Sequence, residues 1–249
     1  FLLGTRYKTN AYIIKGLDTK GNYKPRFFDV QGLLTYEISK KWEVALLGSY
    51  TNNYYELIPE TQVTKFGTLD EAYQIKIYFD GKEVDRYQNW LTALTLTWKP
   101  TSELRLKLIG SAFQTYESET YDISGEYWLG KLEMFQESGQ GNVTEVLGVG
   151  AYLQHARNYL DGLVFNLEHR GSWDKPKSNL LWGVRYQHDG FANKISEWEL
   201  QDSAGYSLPH PQDSLGVQNP PRPDLELYNV LKSNYSIDNN KISAFIQDT

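Results

Sequence analysis

Where this chain is apolar, it tends to be apolar at every second residue. Phe28, Val30, Leu34, Tyr36 and Ile38 fall on one side of an extended backbone, with Gly32 among them. Asp29, Gln31, Thr35 and Glu37 fall on the other. The pattern returns with Trp42, Val44, Leu46 and Tyr50, with Leu104, Leu106 and Leu108, with Leu163, Phe165 and Leu167, and with Leu180, Trp182, Val184 and Tyr186. A period of two belongs to a strand with one apolar and one wet face, whereas a helix repeats every 3.6 residues. Helical periodicity is almost absent, so the expected class is all-β.

The connections between these runs come in two kinds. Short polar turns are expected at Ser39-Lys40-Lys41, Lys99-Pro100-Thr101-Ser102-Glu103 and Asp174-Lys175-Pro176-Lys177-Ser178. Long polar connections are expected at roughly 11–27, 56–86, 118–150 and 200–240. The two kinds alternate, as they do when antiparallel strands run up and down with tight turns on one rim and long loops on the other. About eight strands fit. Within the long connections, Ile75 to Phe79 followed by Asp80-Gly81 reads as a rim hairpin, because Asp-Gly suits a type I′ turn. The stretch 209–223, rich in Pro, Asp, Gln and Ser, reads as a loop.

Mean hydropathy is -0.55, and no apolar run approaches the roughly 20 residues of a membrane helix. A transmembrane strand needs only about 9–11 residues with one apolar face, so such a chain averages as hydrophilic. Trp42, Trp98, Trp173 and Trp182 each lie within a few residues of a short turn. Amphipathic rings gather at the membrane–water boundary, so these four are expected to form an interfacial girdle; the alternative is the core of a soluble β protein. Arg105, Lys107, Arg170 and Arg185 lie opposite the apolar face. Facing lipid, each would cost roughly 2–4 kcal/mol, so they are expected to face a wet or plugged lumen and to pair there with acids.

The net charge of -6 argues against a nucleic-acid partner. With no cysteine there is no disulfide, thiolate metal site or cysteine nucleophile. His155, His169, His188 and His210 have no zinc-type spacing, and His169 and His188 read as polar lumen or rim residues. Glu117 with Glu119, and Glu197 with Glu199, share strand faces. Same-face carboxylates can serve a glycosidase, but on a long strand above a membrane they read as solvated wall. No Gly-x-Ser-x-Gly elbow is present. No catalytic residue, metal or cofactor is expected.

Several stretches carry a family resemblance: Leu17-Asp18-Thr19-Lys20-Gly21, Tyr23-Lys24-Pro25, Phe27-Phe28-Asp29, Tyr78-Phe79-Asp80-Gly81, Ala156-Arg157-Asn158-Tyr159-Leu160, Asn166-Leu167-Glu168-His169-Arg170-Gly171, Trp198-Glu199-Leu200-Gln201-Asp202-Ser203 and the closing Ser243-Ala244-Phe245-Ile246-Gln247-Asp248. Together they resemble the barrel of TonB-dependent outer-membrane receptors, in particular those of Bacteroidetes that begin with a carboxypeptidase-regulatory-like domain. The resemblance implies a 22-stranded barrel around an N-terminal plug. It implies import of an iron chelate, cobalamin, glycan or peptide, driven by the TonB complex through a plug and TonB box that this sequence does not contain. Outer-membrane lipid and a surface lipoprotein are the further partners.

Both ends read as strand, so residues 1–249 are expected to be a mid-barrel part of an antiparallel up-and-down transmembrane barrel in the cell outer membrane, with short periplasmic turns and long extracellular loops. Tyr54, Tyr55, Tyr127, Trp128 and Trp198 are the candidate solute-contacting residues. The alternatives are a complete small outer-membrane barrel serving as adhesin or anchor, and a secreted carbohydrate-binding β protein.

Overall fold

The computed structural model describes residues 1–9, 21–68, 71–134, 141–202 and 225–249. They form ten strands: β1 (Leu2–Thr9), β2 (Gly21–Tyr23), β3 (Arg26–Ser39), β4 (Trp42–Pro59), β5 (Gln62–Gly67), β6 (Ala72–Trp98), β7 (Leu104–Met134), β8 (Gly141–Lys175), β9 (Ser178–Asp202) and β10 (Leu225–Asp248). All belong to one sheet, ordered β1-β3-β4-β6-β7-β8-β9-β10, with β2 added on β4 and β5 on β6. Every pairing is antiparallel. The fold is therefore all-β and up-and-down, and its main path has eight strands, the number anticipated. The sheet is not closed: β1 and β10 stand at opposite ends of the path.

The short connections occur where the sequence places them, at Lys40–Lys41, Lys99–Glu103 and Pro176–Lys177. The long connections do not. Residues 56–59, 62–67, 72–86, 118–134, 141–150 and 225–240 continue the strands. Apolar alternation fades there because both faces are wet, while the backbone still needs its N–H and C=O groups paired. The pairing of β6 with β7 runs unbroken from Ala72↔Leu132 to Trp98↔Leu106. The expected hairpin at Asp80-Gly81 is one casualty: Asp80 pairs with Ser124 and Gly81 with Ile123, inside β6. Gly81 has φ +100, and a Cβ there would run into the Asp122 carbonyl oxygen. Glycine serves at this point as a kink within a strand. Most of 11–27 and the Pro-rich stretch 209–223 lie outside the described residues.

The sheet is a single layer. Among the described residues only Ala72, Leu132 and Ala156 are buried hydrophobics, and no large side chain is fully buried. The accessible surface is 17405 Å², against roughly 11,000 Å² for a compact monomer of this mass. Opposed residues in a ladder share a face, so the register traces each face across the sheet. The row Leu34, Leu46, Leu94, Gly110, Leu167, Tyr186, Ile242 crosses seven strands on one side, here termed outward. Leu34, Leu94 and Ile242 are 54%, 53% and 79% exposed. The row Trp42, Trp98, Leu106, Gly171, Trp182, Ile246 bounds this band on the short-turn side. Trp42 and Trp98 stack at 5.4 Å, and Trp182 lies over Gly171, where no side chain would fit. Trp173 is outward one row nearer the turns.

On the far side, Tyr50 and Trp90 meet at 4.1 Å and Phe28 reaches Tyr50 at 6.4 Å. Tyr7 and Tyr116 share the Phe28 row. From Trp42 to Tyr50 the strand rises about 27 Å.

The opposite, inward face is polar and charged. Arg105, Lys107, Arg170 and Arg185 lie on it. Arg170 pairs with Glu168, Arg185 donates to the Asn166 side-chain oxygen at 3.0 and 2.7 Å, and Lys241 pairs with Asp189 at 2.6 Å. His169 and His188 face outward instead. His169 lies one row above the tryptophans, where Trp182 Nε1 donates to its Nε2 at 3.3 Å.

Two outcomes follow from this geometry. On a bilayer reading of the outward band, Leu94→Arg in its middle should lower the free energy of unfolding from lipid vesicles by about 2–4 kcal/mol. Ala93→Arg, one residue away and inward, should cost much less; equal costs in urea titrations would contradict the assignment of faces. The outer edges of β1 and β10 are unpaired, and unpaired backbone in lipid costs several kcal/mol per group. Gel filtration of the chain in detergent should therefore give no monodisperse monomer.

Candidate functional site

Beyond the upper aromatic rows the inward face becomes acidic. The positions are set by one repeated pattern, Glu83-x-Asp85-x-Tyr87 on β6 and Glu117-x-Glu119-x-Tyr121 on β7. Antiparallel pairing sets Asp85 opposite Glu119, Glu83 opposite Tyr121 and Tyr87 opposite Glu117. On the other flank β4 sets Tyr55 opposite Asp85. Across β7 the wall continues through Asn158, which faces Glu119, and on to Glu197 and Glu199 of β9. Asn158 Nδ2 donates to Glu197 at 2.5 Å while its Oδ1 accepts from the Ser196 backbone N–H at 3.2 Å.

The carboxylates of Glu83, Asp85 and Glu119 lie within 4.8 Å of one another. Among the described residues they are the one set of three acidic or imidazole side chains close enough to share a cation. Asp85 is pushed up to about 6, by burial first and then by the charges of Glu83 and Glu119. Glu83 is raised for the same reasons, burial and the Glu119 charge. Asp85 Oδ1 is buried and accepts no hydrogen bond. Burial and the surrounding carboxylates also raise the phenols of Tyr87 and Tyr121, so these remain protonated and keep an O–H to donate. The wall thus offers negative charge, hydroxyl donors and aromatic faces.

Farther along, Tyr127, Tyr152, Gln154, Glu199, Gln201 and Asp202 line a cavity of about 160 Å³. Gln201 Nε2 donates to Glu199 at 3.0 Å. Asp202 is 4% exposed, and neither of its carboxylate oxygens has a hydrogen-bond partner.

The five aromatics singled out from the sequence separate onto two faces. Tyr55 joins the acidic wall, packed edge-on against Phe27 at 5.4 Å and Tyr87 at 6.1 Å. Tyr127 is inward and lines the cavity. Tyr54 is outward, between the guanidinium groups of Arg26 and Arg86, with its hydroxyl donating to Glu56 at 3.1 Å. Trp128 is outward in a groove with Lys76, Tyr78 and Val143. Trp198 is outward too, stacked on His155 at 3.8 Å. The four tryptophans expected to form a girdle, Trp42, Trp98, Trp173 and Trp182, share the outward face near the short turns. Glu83, Asp85, Tyr87, Tyr121 and Asp202 were not singled out from the sequence, although the doubled acid-x-acid-x-Tyr pattern was there to be read.

No family model matches the chain, and no curated protein matches it.

A raised carboxyl makes stability depend on pH with a definite sign. Between about pH 4 and about pH 6 the folded chain keeps the Asp85 proton and the unfolded chain gives it up, so stability falls as pH rises through that window. In the intact protein, Asp85→Asn should flatten the unfolding midpoint across this range. Parallel pH profiles for the native protein and the variant would contradict the coupling.

Proposed function

We propose that this chain forms part of the wall of an outer-membrane β-barrel that captures and imports a solute, of the TonB-dependent kind its sequence resembles. One observation carries the reading. A single-layer sheet without a core presents a largely apolar band between two aromatic boundaries, interrupted by His169 and by the His188–Asn240 pair, and sets the lysines and arginines of that height on the reverse. In water such a sheet would leave this band uncovered. In a bilayer, lipid covers it and the charged face lines a lumen. The length of β6 to β10 supports the same reading, because strands of 24 to 35 residues exceed the roughly 9–11 needed to cross. The remainder stands above the membrane as wall for a vestibule.

In that setting the inward acid–tyrosine wall is the surface a solute meets. Its negative charge concentrates cationic solutes and repels anionic ones, and its phenols and carboxylates suit hydroxyl-rich or amine-bearing ligands. A neutral glycan or a cationic peptide fits this wall better than an anionic chelate.

The test begins with membranes from cells making the intact protein. Release by an alkaline wash without detergent would end the proposal. Where detergent is required, binding is followed by intrinsic fluorescence with neutral oligosaccharides, Lys-rich peptides and anionic ferric chelates as probes. The expected outcome is binding of a probe from the first two groups, weakened roughly tenfold or more by Asp85→Asn with Glu119→Gln. Preference for the anionic chelates, or indifference to the double variant, would remove the wall from the solute path.

A further inference from the structure

Just above the upper aromatic rows, the outward face turns basic where the inward face turns acidic. A single cross-strand row runs Arg26, Tyr54, Arg86, Ser118, Tyr159, Lys194, Asn234. In the next row Arg157 lies opposite Thr120, and Lys232 lies opposite Ser196. Arg26, Arg86, Lys194 and Lys232 are exposed, and none has a carboxylate within salt-bridge distance among the described residues. Among the nearby outward acids, Glu56 is engaged by Lys24 at 2.6 Å and Asp122 by His155 and by Arg157 at 2.5 Å; Asp161, one row below the belt, accepts from Gln114 Nε2 at 3.5 Å, and Asp238, a row further down, lies 3.8 Å from His188.

Three of the four cations also lie against aromatic rings. Arg26 and Arg86 flank the Tyr54 ring at 5.6 and 5.9 Å, and Lys232 lies 5.7 Å from the Trp198 ring. A guanidinium held at a ring keeps N–H groups free to grip an oxyanion. Arg86 is four positions beyond Trp90, about 13 Å of strand and roughly 9 Å of height at the usual tilt. Headgroups add roughly 5–8 Å to each side of the hydrocarbon, so long cationic side chains anchored at this height reach their phosphates.

We propose that this basic belt binds the phosphate groups of anionic lipid headgroups in the outer leaflet, and so fixes the height of the barrel in the bilayer. Charge complementarity and continuity with the apolar band single out a lipid over a soluble partner. The inference rests on the membrane reading given above. Each side of the wall then has its own task, with cations toward lipid phosphate and acids toward solute.

The test uses the intact, detergent-purified protein in phosphatidylcholine nanodiscs carrying diphosphoryl lipid A, or the same lipid with its phosphates removed. Native protein should retain the phosphorylated lipid through size exclusion at least roughly tenfold better than the dephosphorylated one. The combined variant Arg26→Gln, Arg86→Gln, Lys194→Gln, Lys232→Gln should lose that preference. The charge-keeping set Arg26→Lys, Arg86→Lys, Lys194→Arg, Lys232→Arg should retain most of it. Equal retention of both lipids by native protein overturns the proposal without recourse to any variant. Release of lipid by inorganic phosphate, but not by chloride of equal ionic strength, would instead identify a general phosphate site and overturn the lipid assignment. Retention unchanged in the neutral variant, with the protein still membrane-embedded, defeats this belt alone. Extraction without detergent defeats the membrane reading and the belt together.

Discussion

The whole arrangement depends on an unbroken backbone ladder. A strand alternates its side chains between two faces, so a slip of one residue in any pairing would carry apolar side chains to the wrong side. The register irregularities fall between Glu37 and Ser39, Leu129 and Gly130, Lys131 and Leu132, and Leu227 and Asn229. All lie outside the apolar band, so the row through Leu46, Leu94 and Leu167 stays on one face throughout. With no second layer to pack against, that ladder and its cross-strand pairs carry the cohesion a core supplies elsewhere. Aromatic pairs such as Trp42–Trp98 and Tyr50–Trp90 add about 0.5–1.5 kcal/mol each beyond their buried area.

The same ladder sorts charge. In the upper wall, outward positions collect Arg26, Arg86, Lys194 and Lys232, and inward positions collect Glu83, Asp85, Glu119 and Glu197. The chain is acidic as a whole, but its net charge of -6 conceals two fields of opposite sign on either side of one sheet. The raised carboxyl of Asp85 records first its burial and then the like charges of Glu83 and Glu119 crowded on the same face. The arrangement is intelligible if each face meets a different medium. It is costly if both face the same water.

Much of the fold was legible because alternation and turn chemistry are local. Leu104-Arg105-Leu106-Lys107-Leu108 shows its faces without help, and Lys40-Lys41 and Pro176-Lys177 mark their turns. The upper ribbons were not legible. Residues 118–134 and 141–150 lack an apolar face, so their strand character comes from neighbouring backbone and not from their own side chains. Asp80-Gly81 misled for a related reason. The pair suits a hairpin, but Ser124 and Ile123 stand opposite and hold it straight. The candidate aromatics divided because proximity along the chain says nothing about height or partner: Tyr54 and Tyr55 are adjacent, and they point to opposite faces of the sheet.

The sequence alone determined which residues share a face within each strand, where the tight turns fall and that lysines and arginines such as Arg105 and Arg185 oppose the apolar side. These follow from a period of two, a property of the extended backbone itself. Only the tertiary structure decided which strands adjoin and in what register, and therefore that Glu83, Asp85 and Glu119 converge from β6 and β7. It alone set Arg26 and Arg86 on either side of Tyr54. Register is a relation between distant segments, chosen by the summed pairing of whole strands, and no single stretch of the chain contains it.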